Sequence, residues 1–153
     1  MKYLVLLLVV LLFSCKNEET EDNCSSDYVY FKVAEMADDK IHNDSYVLPI
    51  PASDTMNIRI AREIIRYGAA YPDRIITGKI AKGVSPCSLL NKDLATGKSH
   101  SWYVESFAGF SAFTIEVCDG WPGYVDENLD QWMAELDGAI CFWSYSVTEE
   151  ITP

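Results

Sequence analysis

Three carboxylates stand close together in the chain: Glu105, Glu116 and Asp119. Two acidic side chains flanking a glycosidic bond are what sugar hydrolysis needs, one to protonate the leaving group and one to attack or activate water. Glu105 and Glu116, placed on neighbouring strands, have the residue types for that task, although glutamates on a solvated strand face account for the same pattern. No Gly-x-Ser-x-Gly or His-Glu-x-x-His motif accompanies them, and His42 and His100 have no companion at ligand spacing. Asp126-x-Asn128-x-Asp130 opens like a calcium loop. Gln131 stands where the turn requires glycine, however, and Asp137 where a bidentate glutamate belongs. No catalytic set, metal or cofactor is expected from these residues.

Other residue types suit binding. Trp121 lies in the turn Asp119-Gly120-Trp121-Pro122-Gly123, where a large ring is hard to bury completely and fits a sugar or protein contact; as a lid on the core it would sit beside Cys118. Trp102 is carried with it as a ligand-binding candidate, whereas Trp132 fits an apolar helix stripe. Arg59, Arg62 and Arg66 recur at spacings of three and four, which places a basic stripe on one helix face. That stripe is either a docking surface or a solvated face balancing nearby acids.

The first residues carry an address. Lys2 precedes an apolar run over residues 3–13, shorter than the roughly 20 residues of a spanning helix and arranged like a signal peptide. Leu12-Phe13-Ser14-Cys15 resembles a bacterial lipobox, in which cleavage precedes a cysteine that is then acylated. Lys16-Asn17-Glu18-Glu19 is similar to the export tag of surface lipoproteins of the Bacteroidota. The expected organisation is a signal peptide over 1–14, a lipidated acidic tether over 15–27 and one domain over 28–153. The expected location is the outer membrane, at the cell surface, with acyl chains on Cys15 as the membrane contact.

Removing the leader takes away one lysine and no acid, leaving 11 basic against 23 acidic residues, a balance of −12. So acidic a body argues against nucleic acid as a partner. With Cys15 acylated, Cys24, Cys87, Cys118 and Cys141 remain, an even number in an oxidising compartment, open to three pairings.

The elements that must position these groups follow from periodicity. Residues 28–34 alternate, with Val29, Phe31 and Val33 on one face, and read as a strand. Residues 45–50 make a second, whose Pro49 suits an edge, with Pro51 just beyond. Ser53 or Asp54 caps a helix to Tyr67, with Met56, Ile60, Ile64 and Tyr67 as its stripe and Gly68 as its stop. Residues 74–82 form a third strand, and 83–99 a long irregular connection of the kind that is functional or loosely ordered. Residues 101–107 and 111–118 read as a hairpin around Ala108-Gly109-Phe110. Pro122 opens a second helix with Val125, Leu129, Trp132, Met133 and Leu136 on its apolar side, closed by Gly138, and residues 140–148 form the last strand. The order β-β-α-β-β-β-α-β indicates an α+β domain, with a mainly antiparallel sheet and two helices on one face.

Several of these segments together look like a known small domain. They are Thr77-Gly78-Lys79-Ile80-Ala81-Lys82-Gly83, Trp102, Ile115-Glu116-Val117-Cys118-Asp119, Tyr124-Val125-Asp126-Glu127-Asn128-Leu129 and Cys141-Phe142-Trp143-Ser144. They resemble the domain at the N-terminus of a slime-mould calmodulin-binding protein, found also in short secreted proteins. The resemblance covers about residues 28–148 and implies a disulfide between Cys118 and Cys141, leaving Cys24 and Cys87 for each other. It also implies a histidine just after the middle-strand tryptophan. Here Trp102 is followed by Tyr103, Val104 and Glu105, and His100 precedes it. The expected function is a lipid-anchored, surface-exposed, non-enzymatic module binding an unknown protein or glycan. The alternative is a small hydrolase or glycan-processing accessory using Glu105, Glu116 or Asp119.

Overall fold

The computed structural model describes residues 23–36 and 40–153. The leader, Cys15 and the first part of the tether lie outside the described residues. Strand β1 (Tyr28–Glu35) pairs antiparallel with β2 (Ser45–Pro51) on one side and β6 (Tyr145–Ile151) on the other. Strand β3 (Ile75–Lys82) is likewise central, between β4 (Trp102–Ser111) and the two-residue β5 (Ala139–Ile140). The class is α+β and every pairing among these strands is antiparallel. The strands divide, however, into two three-stranded sheets, β2-β1-β6 and β4-β3-β5, where one sheet was expected. The prolines of β2 sit at an edge, as their missing donors require.

Two segments depart from their sequence pattern. Gly109 does not turn a hairpin; it lies at φ 148°, and the ladder to β3 skips Ala108, so the glycine serves a bulge inside one continuous strand. Residues 112–115 then run on without pairing into a 3-10 turn at Glu116–Cys118, and Phe113, Ile115 and Val117 are exposed. Their alternation is genuine, but the segment does not fold back onto the free edge of β4, and a strand needs a partner. The expected last strand is also two: β5 closes one sheet, the chain turns a corner through residues 141–144, and β6 enters the other.

Helix α1 (Thr55–Tyr67) is capped by Asp54, whose carboxylate accepts the Asn57 amide at 3.1 Å. It ends at Gly68, which sits at φ 59° and donates its N–H to the Ile64 carbonyl. Its buried side is Ile58, Ala61 and Ile64; Met56 and Tyr67, expected in the stripe, face solvent. The second helix is broken into α2 (Pro122–Glu127) and α3 (Leu129–Leu136). Asn128 bonds the Tyr124 carbonyl with both its backbone and side-chain nitrogens, at 3.0 and 2.9 Å, and leaves helical geometry at φ −120°. Val125, Leu129 and Trp132 are buried as the stripe requires, and join Phe31, Leu48, Ile76, Trp102 and Phe142 in one core drawn from both sheets and all three helices. Each such side chain contributes about 1.5–3 kcal/mol of burial.

The connection over 83–99 is neither loose nor open. Cys87 is bridged to Cys24, and Lys92 makes an isolated pair with Ser99. Asp93 accepts from the amide and hydroxyl of Ser45, the amides of Ala95 and Thr96 and the Thr96 hydroxyl. Burial works against its charge, but the Thr96 and Ser45 hydroxyls and these loop amides outweigh it and hold the carboxyl below its ordinary pKa.

Candidate functional site

The corner between β5 and β6 brings distant pieces of chain to one place. Glu35 ends β1 and faces Tyr145, the first residue of β6, in the ladder, so the two share a sheet face and line one cleft. Residues 41–44 cross above them, and the 116–121 segment forms the far wall. The cleft holds about 320 Å³ and is lined by Glu35, His42, Glu116, Asp119, Trp121 and Tyr145, with Ile41, Gly120 and Ser144.

Each wall is held by identifiable bonds. Cys118 is joined to Cys141, and the Cys141 amide donates to the Cys118 carbonyl at 2.9 Å, which ties the turn to the corner. Asp119 Oδ1 accepts the amides of Gly120 and Trp143 at 2.9 and 2.8 Å. Trp121 precedes α2 without capping it, and Asp44 caps the helix from a distance, accepting the Gly123 amide at 2.7 Å. The other Asp44 oxygen accepts the Tyr145 hydroxyl. Burial first, then Asp44 and the charge of Glu35, push the Tyr145 pKa far up, so this phenol stays protonated and serves as a donor. The His42 ring lies flat on Trp121, with centroids 4.1 Å apart and planes 9° apart, and the His42 amide donates to Glu35 Oε2 at 2.8 Å. A second hollow of about 310 Å³, lined by Asp119, Tyr124, Asn128 and Glu135 among others, shares Asp119 with the first.

Of the residues singled out in the sequence, Trp121, Glu116 and Asp119 meet in this cleft. Glu105 does not; it is exposed where the β3–β4 ladder skips a residue, and is not among those lining the cleft. Trp102 is corrected as a surface contact, since it is 1% exposed in the core, packed on Tyr46 and His100. His100 Nε2 lies 2.8 Å from the Ser45 carbonyl; a carbonyl only accepts, so that nitrogen carries the proton. The arginine stripe is engaged within the chain. Arg62 grips Glu150 of β6 with two bonds of 2.7 and 2.9 Å, Arg59 pairs with Glu63 at 3.6 Å, and Arg66 lies over the Tyr67 ring. Of the near-miss calcium loop, Asp126 accepts from Ser101 and Asp130 pairs with Lys82. The disulfides are Cys118–Cys141 and Cys24–Cys87, the connectivity that the resemblance implies.

Glu35 and His42 were not singled out as site residues. Glu35 had a signal: it continues the Val29, Phe31, Val33 phase of β1, a carboxylate on an apolar face. His42 had none, because its partner Trp121 lies far along the chain.

Comparison with known proteins adds one positive finding. Neither the curated proteins nor the solved structures contain a match. The family model of the N-terminal domain of calmodulin-binding protein 74 matches residues 27–153, which takes in both sheets, all three helices and every wall of the cleft. This chain therefore belongs to the family of that N-terminal domain, the slime-mould-type domain that its sequence segments resemble.

Proposed function

We propose that this chain is a lipid-anchored, surface-exposed binding module without catalysis, and that its ligand occupies the cleft between Glu35 and Trp121. The observation that carries the reading is the convergence of His42, Trp121, Glu116 and Asp119, from two separate loops, on a buried carboxylate at a strand end. Binding sites commonly combine a concave wall with a few convergent polar groups. A pull-down from intact cells with the purified chain, run beside a glycan array, tests it. Trp121→Ala should lower capture at least tenfold while the circular dichroism spectrum stays native; undiminished capture would place the site elsewhere.

Hydrolysis or glycan processing is the second reading, favoured by Glu116 and Asp119 lying in the same cleft as Glu35. Two features weigh against it. Asp119 Oδ1 is occupied by two backbone amides, and Glu105 is not among the residues that line the cleft. Product release from a glycan array, lost in Glu116→Gln, would replace the binding reading with this one.

Attachment to the outer membrane rests on the lipobox at Leu12-Phe13-Ser14-Cys15 and the acidic residues behind it. Cys15→Ala should move the protein into the aqueous phase of a detergent extraction. A mutant that still sediments with membranes at the native level would sink the lipoprotein assignment.

A further inference from the structure

We propose that the cleft takes an organic cation, the guanidinium or ammonium group of an arginine or lysine side chain presented by a peptide. This rests on the cleft being the binding site and names what it binds. Glu35 is 4% exposed yet lines the cleft. Its Oε2 accepts one backbone amide, at 2.8 Å, and among the described residues no hydrogen bond reaches Oε1. That oxygen is not sealed in, since among the described residues the buried side-chain atom left without a partner is Trp102 Nε1; Oε1 opens to the cleft, where a positive group can reach it.

The described residues do not supply that group. The ion pairs among the described residues are Arg59–Glu63, Arg62–Glu150, Lys79–Asp137 and Lys82–Asp130, and none includes Glu35, Glu116 or Asp119. Among the described residues no lysine or arginine lines the cleft. Its one other titratable neighbour on the acidic side, Asp44, adds a further carboxylate behind Tyr145. Among the described residues the walls therefore present three acids and an adjoining fourth, with the His42 imidazole as the only nitrogen base.

Size and shape select among cations and against neutral ligands. Among the described residues no three His, Cys, Asp or Glu groups come close enough to hold a metal ion, so the acids are spread around a space of about 320 Å³. A side-chain cation, which reaches separate carboxylates with several N–H donors, matches that spread. A pyranose stacks on an open aromatic face. Here His42 already covers one face of Trp121, and Tyr124 packs against the same ring with centroids 5.0 Å apart. Neutral sugar recognition would have to displace His42 first.

The test is titration of the purified chain, followed by tryptophan fluorescence and calorimetry at low salt. The probes are an acetyl-Gly-Arg-Gly amide, its neutral citrulline counterpart, agmatine as a free cation, and a neutral oligosaccharide. The arginine peptide should bind at least tenfold more tightly than the citrulline peptide, and the difference should shrink as salt rises. Glu35→Gln should remove most of it. Glu116→Gln, at an exposed position, should lower it severalfold even if the buried variant folds poorly, and Glu105→Gln should leave it unchanged. Agmatine binding as well as the peptide would identify a free amine as the ligand; a tighter peptide supports a protein partner. Equal affinity for the arginine and citrulline peptides, or none for either, overturns the cation assignment. Oligosaccharide binding that Trp121→Ala abolishes would overturn it while keeping the cleft as the site. Ligand capture from cells unaffected by Trp121→Ala, Glu35→Gln and Glu116→Gln alike would overturn the cleft itself.

Discussion

Replacing Cys24 and Cys87 together with alanine is expected to lower the unfolding free energy by about 4 kcal/mol, against about 3 kcal/mol for Cys118 and Cys141. The bridges span 63 and 23 residues, and the longer closure removes more freedom from the unfolded chain. Against a typical native stability of about 5–15 kcal/mol, either loss is a large share. Native packing points the same way. Cys87 is 6% exposed and clusters with Tyr30 and Val47, so the longer bridge pins the long connection onto the β1–β2 pair. Urea unfolding of the two double mutants measures both values, with the m-value checking that the unfolded state is comparable. A Cys24/Cys87 mutant as stable as the native protein would contradict the pairing's structural role. Function should separate the two bridges differently. The shorter one holds the turn that carries Glu116 and leads into Asp119, so its loss should weaken ligand capture beyond what the stability change explains.

Asn91→Asp is expected to cost about 3 kcal/mol or more at neutral pH, though it changes one atom. Asn91 is 4% exposed and works as the hub of the long connection. Its Oδ1 accepts the Ser85 amide at 2.7 Å, and its Nδ2 donates toward the carbonyls of Gly83, His100 and Trp102 at 2.9, 3.2 and 3.0 Å. An aspartate would aim a buried negative oxygen at three carbonyl oxygens. The same geometry predicts the pH dependence. Folding would raise the pKa of the new carboxyl, so the neutral acid is favoured in the folded state. The penalty is then least below the unfolded pKa of about 3.9 and grows as pH rises through and above it. Thermal and urea unfolding at about pH 3 and pH 7 check both parts. A variant within about 0.5 kcal/mol of native at pH 7 would show that the hub carries little, by the scale of ordinary surface substitutions.

What short-range patterns encode, the sequence alone determined well. The alternation of Val29, Phe31 and Val33 marks β1, and a cap at Ser53 or Asp54 with the Gly68 stop bounds α1, the structure choosing Asp54, because each signal is complete within a few residues of its own chain. The cysteine pairing came from resemblance to a family, since spacing left three connectivities open. Tertiary structure decided the rest. Phe113, Ile115 and Val117 alternate as well as β1 does, yet form no strand, since pairing depends on where the chain is led, and this segment runs into the turn tied to the corner by Cys118–Cys141 and not back along β4. Residues 140–148 read as one strand because periodicity does not register a change of sheet at Trp143. Trp102 and Trp121 are the same residue type, and neither stands in a local pattern that decides its burial. One is buried by Tyr46, more than fifty positions earlier, and the other left half-open beneath His42. The cleft is assembled from a strand end, two loops and a corner up to 110 positions apart. Only contacts between those segments, which no local window contains, bring Glu35, Trp121 and Tyr145 to one surface.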